Sequence, residues 1–219
     1  MNISENIKNY KDELPENVKL VAISKTKPNE DILEAYRAGQ RIFGENKIQE
    51  MTDKQEELPE DIEWHMVGHV QRNKVKYMAP FVSLIHAVDS LKLLKEINKR
   101  AKQNDRVINC LLQIKIAEED SKFGISDDEA REILASEAYS KMENVKIVGL
   151  MGMATFTDDE DQVRSEFQYL KSVFEELKMD YPALEELSMG MSGDYKIAIE
   201  CGSTMVRIGS SIFGARNYN

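Results

Sequence analysis

Residues 18–30 read VKLVAISKTKPNE, an apolar run that ends at Lys25 and is followed by a proline that can begin a helix. An apolar strand rarely ends inward in an ammonium group, because burying that charge without a partner costs several kcal/mol. Such a lysine must be paired, have its pKa shifted, or be consumed in a covalent bond. The third possibility makes Lys25 a candidate for a Schiff base with an aldehyde.

The turn after this first run also separates two fold classes. A doubly wound open sheet normally carries a glycine-rich nucleotide-binding turn at this position. Residues 24–30 read SKTKPNE and contain no glycine. We therefore favour a closed barrel over the open sheet, which is the alternative.

Short β-rich apolar runs alternate with helical patterns along the 219 residues. One helical pattern places five apolar residues on a single stripe: Val163, Phe167, Leu170, Phe174 and Leu177. The eight runs predicted as strands are Val18–Lys25, Arg41–Glu45, Glu63–His69, Val82–Ala87, Ile108–Ile116, Val145–Met153, Leu187–Met191 and Met205–Phe213.

Eight such units predict an α/β fold, a single (β/α)8 TIM-type barrel. An extra N-terminal helix is expected over Ile3–Leu14. The expected organisation is one domain over residues 1–219, with the helix in 1–14 and the barrel in 18–216.

The composition of the chain disfavours two classes of binding partner. The formal charge of −10 and the pI near 5.0 disfavour a nucleic acid or an anionic membrane, which the average surface would repel. The first ten residues lack the apolar core of a secretory signal, and no segment approaches the ~20 apolar residues of a membrane span. Cys110 and Cys201 fit reduced core thiols. A cytoplasmic location is expected.

The polar residues that end these strands form a candidate site. In parallel barrels the chemistry lies at the C-terminal ends of the strands, and phosphate is often held by the turns after strands seven and eight. Ser192 and the Gly209-Ser210 turn should therefore be neighbours that bind a phosphate. Arg207, two residues before Gly209, faces the same way. The residues at this end are Lys25, Asn46, Ser192, Arg207, Gly209 and Ser210.

Each of these residues also has a structural interpretation. Lys25 alone fits a solvated side chain, and the glycines after strand eight fit a simple turn. Asn46 and Ser192 fit helix N-caps, and Arg207 fits a surface bridge to Glu200. The functional interpretation is favoured because all the residues fall at the same end of the predicted barrel.

The histidines do not predict a metal site. His65 and His69 are four residues apart on an expected strand, hence about 13 Å apart, too far to share one ion. Core or rim positions are expected for them.

At these positions the sequence closely resembles the YggS/PROSC family of pyridoxal 5′-phosphate homeostasis proteins. The matching strings cover nearly the whole chain, and the first and last are highly specific together. They are AISKTKP (22–28), AGQRIFGEN (38–46), EWHMVGHVQRNK (63–74), HAVDS (86–90), SKFGI (121–125), GLMGM (149–153), LSMGMS (187–192) and GSTMVRIGSSIFGAR (202–216).

The resemblance implies a barrel like the N-terminal domain of alanine racemase, with pyridoxal 5′-phosphate as the cofactor and Lys25 as its lysine. It implies that Arg207 faces the pyridine nitrogen and that Asn46 lies near the ring. Ser192, Gly209 and Ser210 would hold the phosphate. The family often has threonine in place of Ser210, a change that keeps the hydroxyl.

The favoured function is reversible binding of pyridoxal 5′-phosphate in vitamin B6 homeostasis, with possible delivery to apo-enzymes, by a monomer. An amino-acid racemase is the alternative, although its second base would come from an additional domain not seen here. A third class is a barrel enzyme that forms a lysine imine with a phosphorylated sugar. Lys74 and Lys76 fit a solvated helix face better than a secondary cofactor or docking site.

Overall fold

Eight parallel strands close into a barrel, in which each strand pairs with the next and β8 pairs with β1. The computed structural model describes residues 2–118 and 123–214. This architecture confirms the predicted (β/α)8 barrel. The strands are β1 Lys19–Ile23, β2 Ile42–Glu45, β3 Glu63–Met66, β4 Leu84–Val88, β5 Ile108–Gln113, β6 Val145–Met151, β7 Glu186–Met191 and β8 Met205–Ile208.

Helices surround the strands on the outside. They are α1 Ile3–Glu13, α2 Asn29–Arg37, α3 Ile48–Glu57, α4 Val75–Met78, α5 Leu91–Gln103, α6 Asp127–Ala135, α7 Glu137–Ser140, α8 Glu160–Asp180, α9 Tyr195–Glu200 and α10 Ser210–Phe213, with a 3₁₀ turn at Arg72–Lys74. The predicted N-terminal helix is confirmed as α1 and ends one residue earlier. In the described residues, none of these helices combines the length and apolarity needed to cross a membrane.

The helices have the buried apolar faces and the N-terminal caps that the sequence pattern predicts. The stripe from Val163 to Leu177 lies on α8 and is buried against the sheet. Ser126 caps α6 in a reciprocal box with Glu129, which satisfies backbone N–H groups at the start of the helix. Ser90 caps α5 by accepting from the Leu93 N–H.

Alternation along the strands divides the core into two apolar layers. On β1, Ala22 packs outward with the helices, whereas Val21 and Ile23 belong to the smaller cluster that fills the barrel interior. The interior cluster also contains Leu84, Ala87, Leu111, Met151 and Met205. The interior layer contains few apolar residues, so a few polar side chains are enough to change the polarity of the barrel interior.

Several predicted strands extend too far, since β1 ends at Ile23 instead of Lys25, β5 at Gln113 instead of Ile116, and β6 at Met151 instead of Met153. Two further predicted ends are wrong in ways that change the local structure. The eighth run was expected to extend to Phe213, but the strand ends at Ile208 and residues 210–213 form α10. The third run was expected to reach His69, but β3 ends at Met66. The chain turns there at Gly68, where a Cβ would lie 2.4 Å from the Asn46 carbonyl oxygen. His69 therefore lies on a loop.

Some predictions extend beyond the described residues. The first two residues of the SKFGI string and the last two of the GSTMVRIGSSIFGAR string lie outside them, as do the ends of the proposed ranges 1–219 and 18–216. Cys110 on β5 and Cys201 after α9 are both buried and present as free thiols.

Candidate functional site

A cavity of about 410 Å³ opens at the C-terminal end of the barrel. This volume is within the range of roughly 300–1,000 Å³ that is typical of small-molecule sites. Five of the six predicted site residues line it, and they come from the ends of strands β1, β7 and β8: Lys25, Ser192, Arg207, Gly209 and Ser210. The residues predicted at the ends of separate strands therefore line one continuous cavity.

Lys25 is the second residue of a tight turn directly after β1. The turn is closed by a hydrogen bond of 3.1 Å from the Lys27 N–H to the Ser24 carbonyl. Its third residue, Thr26, has a φ of 63°, which a β-branched residue rarely adopts. Ser24 is fully buried, whereas Lys25 is half-buried and borders the cavity. The ammonium of Lys27 donates to the Phe213 carbonyl at 2.8 Å.

The turns after β7 and β8 meet as predicted for a phosphate site. The Gly209 N–H donates to the Ser192 Oγ at 3.3 Å, and Ser210 begins α10 beside it. Gly193 lines the same cavity, and a Cβ built on it would meet no atom within 4 Å. This corner therefore offers two hydroxyl groups and room for a ligand group.

Arg207 lies at the floor of the cavity and is 5% exposed. It donates to the Ser188 Oγ at 2.6 Å and to the Gly152 carbonyl at 3.0 Å. Burial lowers the pKa of Arg207 to about 10, with the charge of Asp194 opposing the shift. The guanidinium is therefore still a cation at neutral pH.

From Arg207 a chain of hydrogen bonds crosses the barrel interior. His86 Nδ1 lies 2.9 Å from the Ser188 Oγ, and His65 Nδ1 lies 3.0 Å from the His86 Nε2. All four residues are buried. Burial lowers the pKa of His65 to about 3, and that of His86 well below its ordinary value. Both imidazoles are therefore neutral at pH 7.

The donor-only guanidinium sets the direction of this chain. Ser188 accepts from Arg207, and within the described residues its hydroxyl proton has only His86 Nδ1 to donate to. His86 then carries its proton on Nε2 and donates to His65 Nδ1, so His65 is also protonated on Nε2. Sequence reasoning missed this chain, although Ser188 lies inside the string 187–192.

Asn46 is separated from the other predicted site residues. It lines a neighbouring cavity of about 290 Å³ together with His69, Gln71 and Lys74. His69 stacks on the Phe123 ring, with centroids 4.7 Å apart. The role predicted for Asn46 near the cofactor ring stays a prediction.

A second buried polar cluster lies outside the barrel, behind the Lys25 turn. Lys54 on α3 donates to the Glu45 Oε1 and to the Glu50 Oε1, at 2.7 Å each, and to the Ser24 carbonyl at 2.8 Å. Burial raises the pKa of Glu45, and the charge and hydrogen bond of Lys54 oppose the shift. The Glu45 Oε2 is buried with no hydrogen-bond partner in the described residues.

Two of the structural alternatives, the helix N-caps and the bridge from Arg207 to Glu200, are not found in the described residues. The N-cap residue of α3 is Lys47, and that of α9 is Asp194, so neither Asn46 nor Ser192 caps a helix. Glu200 pairs with Arg164 at 2.7 Å, and the bridge to Arg207 is therefore wrong. In the described part of the chain, no three His, Cys, Asp or Glu side chains group as metal ligands.

Sequence comparison relates the chain to one family over nearly its full length. The family model for the alanine racemase N-terminal domain matches residues 1–217. A Vibrio alginolyticus protein named pyridoxal phosphate homeostasis protein is 41% identical over 210 residues, covering 94% of this chain and 89% of the relative. A protein of the same name from Aquifex aeolicus is 42% identical over 202 residues, covering 91% and 88%.

Solved structures show the same similarity. PipY of Synechococcus elongatus, solved with PLP bound, superposes with a TM-score of 0.88 at 35% identity, covering 97% of this chain and 100% of PipY. An alanine racemase from E. faecalis superposes with a TM-score of 0.73 at 16% identity, covering 98% of this chain and 58% of the racemase. The second comparison supports a shared fold only.

Proposed function

This chain belongs to the family of pyridoxal phosphate homeostasis proteins, and from that membership we propose that it binds pyridoxal 5′-phosphate (PLP) in vitamin B6 homeostasis. Relatives of nearly the same length carry that name, and PipY was solved with PLP bound. The single observation that carries the proposal for this chain is the shared cavity of Lys25, Arg207 and the Ser192–Gly209 corner.

The residues around the cavity fit the chemical groups of PLP. When bound, the cofactor supplies an aldehyde that condenses reversibly with a primary amine to a Schiff base and water. Lys25 is the amine that borders the cavity. Ser192 and Ser210 offer hydroxyl donors for a phosphate, and the open space at Gly193 leaves room for it. The proposed roles of Lys25, Ser192, Gly209 and Ser210 follow from this fit.

Arg207 fits the ring nitrogen of PLP. A guanidinium has no acceptor atom and stays protonated at neutral pH, so beside a pyridine nitrogen it donates its own hydrogen and keeps that nitrogen unprotonated. An unprotonated ring is a weaker electron sink for carbanions. Because relatives that are 41% and 42% identical are named pyridoxal phosphate homeostasis protein, we propose a PLP carrier that delivers the cofactor to apo-enzymes, in preference to a racemase.

The test is the covalent attachment of PLP. Wild-type protein mixed with PLP should show the visible absorption of a lysine imine, and borohydride reduction followed by peptide mapping should find the label on Lys25. Lys25→Ala should remove both signals. Lys92→Ala, on the exposed face of α5, is the control and should retain them.

Three results would contradict the proposal. A label on another lysine of the wild-type protein would remove the role of Lys25. A protein that stays colourless with excess PLP, but forms a lysine adduct with a phosphorylated sugar, would support the aldolase class instead. Turnover of amino acids by the intact protein would restore the racemase alternative.

Several finer statements stay predictions. They are the direct delivery of PLP to apo-enzymes, the monomeric state, the cytoplasmic location, the single-domain organisation, and the absence of nucleic-acid and membrane partners.

A further inference from the structure

We propose that Glu50 and Lys54, two residues of α3, are positioning residues that hold the turn carrying the Lys25 amine. This inference rests on the proposed function and deepens it. Neither side chain is among the described residues that line the Lys25 cavity. Both side chains bind the backbone of the turn, and we infer that their effect on the amine passes through it.

The two residues bind the chain on both sides of Lys25. The Glu50 Oε1 accepts from the Thr26 N–H at 2.5 Å, and the Lys54 ammonium donates to the Ser24 carbonyl at 2.8 Å. The same ammonium donates to both Glu50 and Glu45 at 2.7 Å. These three acceptors use all three protons of Lys54, which fixes the cluster as one unit.

The turn needs this support because its backbone is strained. In a turn of this kind the third residue has a positive φ, and glycine or asparagine is the usual occupant. Here Thr26 adopts a φ of 63°. Strained backbone of this kind persists only where the surroundings impose it, and it concentrates at functional sites. Glu50 and Lys54 are the side chains of α3 that bind this backbone, in addition to the Ser24 N–H bond to the Gly44 carbonyl.

The position of the turn matters to the condensation that Lys25 performs. The amine nitrogen forms the C=N bond with the aldehyde carbon, the C=O bond breaks, and the oxygen leaves as water with the two amine hydrogens. Displacing a reacting group by about 1 Å can slow a reaction about 100-fold. A released turn should therefore slow condensation without any change at the cavity itself.

The experiment compares Glu50→Ala with Glu50→Gln. Glu50→Ala removes the acceptor of the Thr26 N–H, and we expect imine absorbance with excess PLP to appear about tenfold more slowly, as a displacement smaller than the ~1 Å that costs about 100-fold would give. Amide exchange at Thr26 should rise in the same variant without PLP. Glu50→Gln keeps an acceptor oxygen and should restore both readouts.

A second change separates positioning from general stability. Adding Thr26→Gly to Glu50→Ala should recover much of the condensation rate, since glycine adopts a positive φ without strain. Arg106→Met is the matched control, because Arg106 binds the Ala79 and Val82 carbonyls at the opposite end of the barrel, at 2.6 and 2.8 Å. It should lower stability and leave the condensation rate unchanged.

The outcomes distinguish the inference from the proposed function. If wild-type protein forms no adduct at Lys25, the proposed function fails. If wild type forms the adduct and Glu50→Ala forms it equally fast, with Thr26 equally protected, the positioning role is overturned. Lys54→Met should behave like Glu50→Ala, and if it does not fold, the Glu50 variants decide the question.

Discussion

The two buried polar clusters of this barrel differ in charge, because one consists mainly of neutral groups and the other of paired ions. Inside the barrel, His65, His86 and Ser188 form a neutral chain that ends at the Arg207 cation. Outside it, between the sheet and α3, the Lys54 ammonium is paired with the carboxylates of two glutamates. In the first cluster each side chain forms a hydrogen bond with the next one. In the second, one buried oxygen, the Glu45 Oε2, has no hydrogen-bond partner in the described residues.

The difference reflects what each cluster must hold. The interior cluster anchors a guanidinium beside the cavity, and neutral imidazoles can do this because they accept and donate without adding charge. The outer cluster binds both a backbone carbonyl and a backbone N–H of one turn, with the Lys54 cation donating to the carbonyl and the Glu50 carboxylate accepting from the N–H. Breaking each cluster should therefore give a different stability and pH response.

The largest effect is expected from Lys54→Met. Removing one partner of a buried ion pair leaves the other charge uncompensated, at a cost of about 3–5 kcal/mol. Urea unfolding at pH 7 measures this loss. The double variant Lys54→Met, Glu45→Leu should recover most of it, because no buried charge is then left behind. A loss below about 1 kcal/mol in the single variant would mean that the pair is already solvated.

The interior cluster should make the protein sensitive to acid. His65 and His86 have lowered pKa values in the folded protein, so below the unfolded value of about 6.5 only the unfolded chain binds the two protons. The free energy of unfolding is therefore highest above pH 6.5 and decreases as the pH falls below that value. The expected loss between pH 7.5 and 5.5 is about 2.7 kcal/mol. Urea unfolding across this range measures it, and His86→Gln should halve it.

The outer cluster should respond with the opposite sign. Burial raises the pKa of Glu45 in the folded protein, so the folded chain takes up that proton at a higher pH than the unfolded chain. Its contribution to stability increases as the pH falls, and it opposes the histidines. Glu45→Gln should therefore make the acid-dependent loss steeper, and an unchanged slope would contradict the raised pKa.

A smaller effect is expected from Ser188→Ala. This change removes the link between Arg207 and His86 and leaves buried polar groups unsatisfied, which costs about 2 kcal/mol. Chemical denaturation measures the loss, with Ser172→Ala on the surface of α8 as the control. Amide exchange at Thr26 should not change in Ser188→Ala, and an increase there would show that the two clusters are coupled.

The smallest effect concerns the strain that the outer cluster maintains. Among the described residues, Thr26 and Asp105 are the non-glycine residues with positive φ, at 63° and 51°. Thr26→Gly should stabilise the protein by about 1 kcal/mol or less, because relief of strain exceeds the added freedom of the unfolded chain. Asp105→Gly should gain little, since aspartate tolerates this region. Differential scanning calorimetry can compare the two, and equal gains would contradict the strain at Thr26.

The parts of the site that are local in sequence could be predicted. Lys25 was found because an ammonium at the end of an apolar run is unusual, and the Gly209-Ser210 turn because it follows the last strand. Glu45 lies inside a quoted string, yet its partner Lys54 is set by how α3 packs on the sheet. The contact between His65 and His86 depends in the same way on the register of β3 and β4.

The alternation of short apolar runs and helical stripes, together with the glycine-free turn at residues 24–30, predicted the eight-stranded barrel and placed Lys25, Ser192, Arg207 and Gly209 at one end of it. The tertiary structure alone decided the neutral histidine chain, the Lys54 cluster and the backbone conformation of Thr26. These features depend on atoms brought together across strands and helices, where differences of about 1 Å decide which hydrogen bonds form. Periodicity along one chain does not contain that information.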